Sequence, residues 1–280
     1  MFQPAAAFIW HYQPQQCQWI RTPNNPLATQ LWHPVSVFTT WRWPLPVNKW
    51  RAHIQRVQHH AHLFGLSVST LHPTAFNQLL ESTLPSSTHW RCRLTALPQE
   101  TIKVPPLLTP PLTSTPLQRV VPSQWWLTVA PLNSPPSLSP LKLGWAHYQK
   151  PFPHIKHGDM ARAWQLKQHA QQSGLDDLLW VNPQGYVTEA THANVFFETV
   201  NAAGHPVWVT PPLGECLAGI ERAHRIKEAQ AQGIVVKENL VPIEAVGQQF
   251  TQGFLTNSVQ GQQPFFCTHP LPYIQISIPV

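Results

Sequence analysis

Lys156 lies in the stretch PHIKHGDMARAW, residues 153–164, directly ahead of a run that reads as the start of a helix. Most lysines are solvated surface charges, but a desolvated lysine is an amine nucleophile that condenses with carbonyl compounds. Glu189 closes the strand-like YVTE, either as a solvated strand end or as a fixed anion. The loop CLAGIER, residues 216–222, feeds a helix whose free N-terminal amides and dipole favour a phosphate. Every helix begins this way, so the loop is informative only in company. The turn LTNSVQG, residues 255–261, carries small hydroxyl and amide side chains after a strand and offers a second set of donors. Arg56 is either a surface charge on a helix or a cationic fork for the same dianion. An amine, a carboxylate and a phosphate cradle are together the set that pyridoxal 5'-phosphate requires: a nucleophile for its aldehyde, an anion to keep its ring nitrogen protonated, and donors for its phosphate.

The elements that must hold these groups can be read from periodicity. Residues 48–65 carry Trp50, Ile54, Val57, Ala61 and Phe64 at alternating steps of four and three, the stripe of a helix, with Asn48 as N-cap and Gly65 as stop. VSVFTTWRW before it, and WRCRLTAL and QWWLTVAPL after it, have the β-branched and aromatic content of strands. The proline-rich LPQETIKVPPLLTPPLTSTPLQ is expected to be an exposed loop. A proline- and serine-rich stretch at 131–141 reads as an interdomain linker, giving a small domain at 1–130 and a larger one at 142–280. In the second part Asp159 can cap a helix that stops at Gly174. Strands then flank an N-P-Q-G turn, a glycine-bearing loop feeds a helix that ends at Gly233, and IVVKENL, PIEAVGQQF and GFLTNSVQGQQPF read as strand, short helix, and strand running into a polar turn.

Composition narrows the partners. The 280 residues include 31 prolines, which break every apolar run short of membrane-spanning length. The opening residues have no basic stretch ahead of an apolar one, so a cytoplasmic location is expected. The net charge of +6 comes from scattered lysines and arginines, which suits a local anion pocket better than a nucleic-acid stripe. His53, His59, His60 and His62 fall at mixed helical angles with no carboxylate, so no metal site is expected. Cys17, Cys92, Cys216 and Cys267 are far apart and read as free thiols.

In their order and spacing these segments resemble the fold-type IV pyridoxal phosphate enzymes, the class IV aminotransferase family. The resemblance is strongest from Lys156 to Pro264. It rests on the lysine and following helix of IKHGDMARAWQLKQHAQQSG, the signature VTEATHANVFF, the phosphate loop TPPLGECLAGIER, and FLTNSVQGQQPF; upstream, FTTWRW and AHIQRV match the strand and helix that carry the phosphate-binding arginine. It implies an α+β, D-amino acid aminotransferase-like fold of two α/β domains, the N-terminal one smaller. It also implies a small-molecule substrate and a homodimer, with no nucleic acid and no membrane as partner. By position, the resemblance makes Lys156 the Schiff-base lysine and Glu189 the partner of the ring nitrogen. Arg56, the backbone at Gly219, Ile220 and Glu221, and Asn257 with Ser258 become the phosphate contacts.

The pair Lys156–His157, the wording AHIQRV and the L-T-N-S turn look most like the 4-amino-4-deoxychorismate lyase branch. That branch implies conversion of aminodeoxychorismate to 4-aminobenzoate and pyruvate, a step of folate biosynthesis, with Thr40, Arg42, Arg91 and Arg93 as candidates for the substrate. A branched-chain or D-amino acid aminotransferase is the alternative, and an inert cofactor-binding scaffold is the alternative of another kind. Three departures stand out. WRCRLTALPQE lacks the usual arginine-glycine ending, Asp159 replaces an asparagine, and Glu221 replaces a threonine in the phosphate loop, so its carboxylate must point away.

Overall fold

The computed structural model describes residues 8–22, 36–71, 73–85, 88–99, 121–132 and 139–275. The chain separates into two units, Met1–Pro135 with Ile155–Met160, and Pro136–His154 with Ala161–Val280. Most of the proline-rich loop after Pro98 and of the linker at 131–141 lies outside the described residues. Lys156, in the stretch between the two long segments of sequence, belongs to the first unit.

In that unit, β1 (Phe8–Gln13), β2 (Gln18–Arg21), β3 (Val37–Trp43), β5 (Trp90–Pro98) and β6 (Val121–Pro131) form an antiparallel sheet in the order β2-β1-β6-β5-β3, with the short β4 (Leu66–Ser67) parallel to β6. Helix α1 (Val47–Leu63) buries Trp50, Ile54, Val57 and Ala61, the stripe its spacing predicts. It starts earlier than expected. Pro46 is the N-cap and Asn48 lies inside the first turn, where its Oδ1 accepts the Lys49 N–H. Gly65, at φ +66°, ends the helix in a left-handed conformation that a β-carbon disfavours. Helix α2 (Pro73–Thr83) seats Phe76 among Trp19, Trp41 and Trp50, with ring centroids 5.5, 5.9 and 6.0 Å away.

Strand register sorts side chains between the two faces of the sheet. Thr39, Trp41, Leu94 and Leu127 share the face on which α1 packs. Phe38, Thr40 and Arg42 share the opposite face with their cross-strand neighbours Thr95, Arg93 and Arg91.

The second unit has two sheets. One, in the order β13-β9-β8-β7, comprises β7 (Leu143–His147), β8 (Asp177–Val181), β9 (Tyr186–Ala190) and β13 (Val241–Pro242). The other runs β12-β11-β10-β14-β15 and comprises β10 (Asn194–Val200), β11 (Pro206–Thr210), β12 (Val235–Glu238), β14 (Gln252–Asn257) and β15 (Gly261–Phe266). Leu179 and Val187 of the first meet Val195, Phe197, Leu255 and Phe265 of the second in one apolar core. Helix α3 (Ala161–Gln172) covers Ala146 and Leu178 with Leu166 and Ala170, and α4 (Ile220–Ala231) follows the glycine-bearing loop. The N-P-Q-G turn forms as expected, because Asn182 Oδ1 accepts the N–H groups of Gln184 and Tyr186 and Gly185 takes φ +85°. The expected strand and polar turn at 253–265 prove to be a hairpin of β14 and β15. Among the described residues no helix is long and apolar enough to cross a membrane.

Candidate active site

Lys156 is fixed by its backbone. Its N–H donates to His60 Nδ1 of α1 at 3.1 Å, its carbonyl accepts the Phe38 N–H at 3.0 Å, and Gly158 N–H donates to the Ser36 carbonyl at 2.7 Å. His157 bridges to Val37 in antiparallel fashion and stacks on Phe64, with centroids 6.0 Å apart. Residues 155–158 thereby pair with the edge of β3 left open by the sheet order, and a fixed backbone gives the lysine a defined reach. Its Nζ lies 5.0 Å from the centre of the Phe38 ring, and the Arg93 guanidinium carbon lies 3.7 Å from the same centre.

The surroundings are cationic. The residues of this unit include ten lysines and arginines against Glu81, Glu100 and Asp159. On α1, Arg56 Nη2 donates to Thr39 Oγ1 at 2.8 Å while its Nε is buried without a partner, and no carboxylate among the described residues lies within ion-pairing distance of it. Burial pulls the Arg56 guanidinium down to about 10. It pulls Arg93 down to about 9, with Arg91 adding repulsion. Desolvated cations with lowered proton affinity are stabilised by an anion, so both are suited to a negatively charged ligand. The register of β3 against β5 brings the four candidate substrate residues together: Thr40 faces Arg93 and Arg42 faces Arg91.

In the second unit the signature VTEATHAN acts on one peptide. Glu189 Oε2 accepts the Leu217 N–H at 3.2 Å and Asn194 Nδ2 donates to the Leu217 carbonyl at 2.8 Å. Two residues on, Gly219 is the N-cap of α4, and a β-carbon there would collide with Asn194 Oδ1. Glycine is what lets the loop pass so close to the asparagine. Ile220 and Glu221 open the first turn of α4, at the positive end of the helix dipole. The Glu221 carboxylate turns to Arg225 Nη2 at 2.7 Å, the diversion its replacement of a threonine demands. Arg222, for which the sequence suggested no role, is buried and ties the loop to the Pro211 carbonyl and to Glu238.

Glu189 has a second partner that sequence reading missed. Lys150 Nζ donates to its Oε1 at 3.0 Å, and both side chains are nine-tenths or more buried. Lys150 lies six residues before Lys156, and no pattern in the sequence marks it as the carboxylate's partner. At the second turn, Asn257 Oδ1 is spent on the N–H groups of Val259 and Gln260, so it shapes the turn. The unsatisfied donor there is Thr256, whose buried Oγ1 has no partner and which lies across the strand pair from Asn194. Strand alternation could have found it, because Thr256 shares the face of the buried Phe254 whereas Asn257 does not.

Residues 36–265 match the family described as Amino-transferase class IV. The chain belongs to that family. Its fold is that of solved members: it superposes on the branched-chain aminotransferase of Thermoproteus uzoniensis with a TM-score of 0.72 at 16% identity, covering 98% of this chain and 91% of that one. The Escherichia coli branched-chain aminotransferase gives a TM-score of 0.67 at 18% identity over 93% of this chain and 85% of that one. Among curated proteins, a probable branched-chain-amino-acid aminotransferase of Rickettsia bellii is 34% identical over 92 residues, which is 33% of this chain but only 30% of the relative. A Rickettsia felis protein of the same description is 33% identical over the same length. These relatives are named for aminotransfer, whereas the wording around Lys156 resembles the lyase branch.

Proposed function

We propose that this class IV family member is a pyridoxal 5'-phosphate-dependent aminotransferase acting on an amino acid that carries a second anionic group. The observation that carries this reading is the division of labour between two lysines. Lys150 is spent in an ion pair with Glu189, whereas Lys156 is fixed on the edge of β3 with its Nζ over the Phe38 ring, beside Arg93, placed to serve as the nucleophilic amine.

The residues fit the cofactor. In the first unit Arg56, with its buried Nε lacking a partner, is suited to a phosphate; in the second unit the N-terminus of α4 and the Thr256 hydroxyl, buried without a partner, offer donors to such a group. Glu189, fixed through both oxygens, would face the ring nitrogen. Asn257 contributes by shaping the second turn, where Ser258 adds a hydroxyl to the proposed phosphate contacts. When bound, the cofactor supplies an aldehyde for the substrate amine and a ring that accepts the electrons left by a broken C–H bond. Lys156 Nζ would serve as the base that takes the proton from the amine-bearing carbon of the substrate and returns it. Thr40, Arg42, Arg91 and Arg93, grouped on one sheet face, would hold substrate carboxylates.

That arginine face also favours a second reading, the elimination from aminodeoxychorismate that yields 4-aminobenzoate and pyruvate, because that substrate bears two carboxylates. The relatives' names favour transfer. An assay with an acidic amino donor and a keto acid acceptor, run beside detection of pyruvate and 4-aminobenzoate from aminodeoxychorismate, separates the two. Turnover of branched-chain donors with no preference for acidic ones contradicts the substrate class. A homodimer and a cytoplasmic location are part of the proposal; the latter is supported by Cys17, Cys92, Cys216 and Cys267, all free thiols.

A further inference from the structure

Helix α1 and strand β3 carry a hydrogen-bonded relay whose proton positions can be worked out. Arg56 has only donors, so Thr39 Oγ1 must accept from Nη2 at 2.8 Å. The Thr39 hydroxyl is buried, and its other neighbour is His53 Nδ1 at 2.6 Å. A buried hydroxyl proton left unbonded is costly, so it lies on the line to Nδ1, which must be bare. The imidazole of His53 is then neutral and carries its proton on Nε2, an atom buried without a partner. The ring is buried and packs against Trp41, with centroids 5.4 Å apart.

We propose that Thr39 and His53 are positioning residues that clasp the Arg56 guanidinium by Nη2, so that its remaining N–H groups are preset to receive an anion. The clasp rests on the proposed phosphate-binding role of Arg56. One end of the fork is tied to a hydroxyl on a rigid strand, so the entropy of ordering the side chain is met at folding rather than at binding. The clasp requires the histidine to be neutral. The groups facing it are the cations Arg56 and Lys49 of α1 and Lys156, with Trp41 and Thr39 from β3, and burial together with those charges holds its proton affinity well below the ordinary value of 6.5. A histidine depressed in this way binds more protons unfolded than folded, so its contribution to stability is present above 6.5 and fades as pH falls toward the folded value.

The test compares affinity for pyridoxal 5'-phosphate with affinity for pyridoxal, which lacks the phosphate, in wild type, Thr39→Val, Thr39→Ser and Arg56→Ala, with circular dichroism to confirm folding. Thr39→Val is expected to lower the ratio of the two affinities about tenfold while leaving pyridoxal binding unchanged, and Thr39→Ser to restore it. If Arg56→Ala lowers the ratio and Thr39→Val does not, the clasp is overturned and the role of Arg56 stands. If Arg56→Ala leaves the ratio unchanged, the role of Arg56 fails and the clasp's purpose with it. Nitrogen-15 NMR of the cofactor-free wild-type chain gives an independent reading. His53 should appear as the neutral Nε2–H form below pH 6.5, and a proton on Nδ1 overturns the relay.

Discussion

Replacing Lys150 by methionine tests the best-defined charge contact in the second unit. Methionine keeps the length of the stem and removes the ammonium, leaving the Glu189 carboxylate buried with only the Leu217 N–H at 3.2 Å. The two side chains are 10% and 7% exposed, so little solvent screens the loss. Removing one partner of a buried ion pair costs about 3–5 kcal/mol, because the remaining charge is stranded. For a unit of this size that lowers the melting temperature by about 10–17 °C. Glu189→Gln strands the ammonium in turn and should cost a similar amount. The double variant removes both charges and should recover much of the loss, giving a coupling energy of at least about 2 kcal/mol. Urea unfolding of the cofactor-free chain, followed by tryptophan fluorescence, measures all four proteins. Single variants within about 0.5 kcal/mol of wild type, or costs that simply add, refute the reasoning that this pair is desolvated and coupled.

Two further outcomes follow from the same geometry. Gly219→Ala drives a β-carbon into Asn194 Oδ1 and should displace the Leu217 peptide, costing about 1–3 kcal/mol and weakening binding of the phosphorylated cofactor more than that of pyridoxal; unchanged stability and binding would contradict it. Brief iodoacetamide treatment at pH 8 should label Cys17, which is exposed, and spare the buried Cys92, Cys216 and Cys267, since burial pushes the Cys92 thiol up and holds the other two at about 12. Peptide mapping that finds a second alkylated cysteine in the native chain would contradict the burial.

Legibility followed signal strength. The α1 stripe, the β3, β5 and β6 strands and the helix after Gly219 were all readable, because each combines one strong period with a glycine or proline stop. Strand β1, helix α2 and strand β7 were not expected. Their apolar runs are short and are flanked by prolines and polar residues that read as loop; β1 is placed in the sheet by the distant β6 as well as by its neighbour β2, and β7 pairs with β8, 30 residues on. The hairpin of β14 and β15 was missed on its second half, because GQQPFF has little β-branched content and is held by backbone pairing with β14.

The proposed site divides the same way. Lys156, Arg56, Glu189 and Gly219 carry motif spacing and could be named in advance. Lys150, His60, Thr39 and Arg222 act through tertiary contacts, of which Lys156 N–H to His60 spans 96 residues and Lys150 to Glu189 spans 39. No local pattern encodes such pairs.

The central claim is that Lys156, rather than the ion-paired Lys150, is the amine that takes the cofactor. Incubation with pyridoxal 5'-phosphate, reduction with borohydride and peptide mass analysis should find the phosphopyridoxyl mass on Lys156 and leave Lys150 unmodified. A stoichiometric label on Lys150, or none on the peptide that holds Lys156, would contradict it.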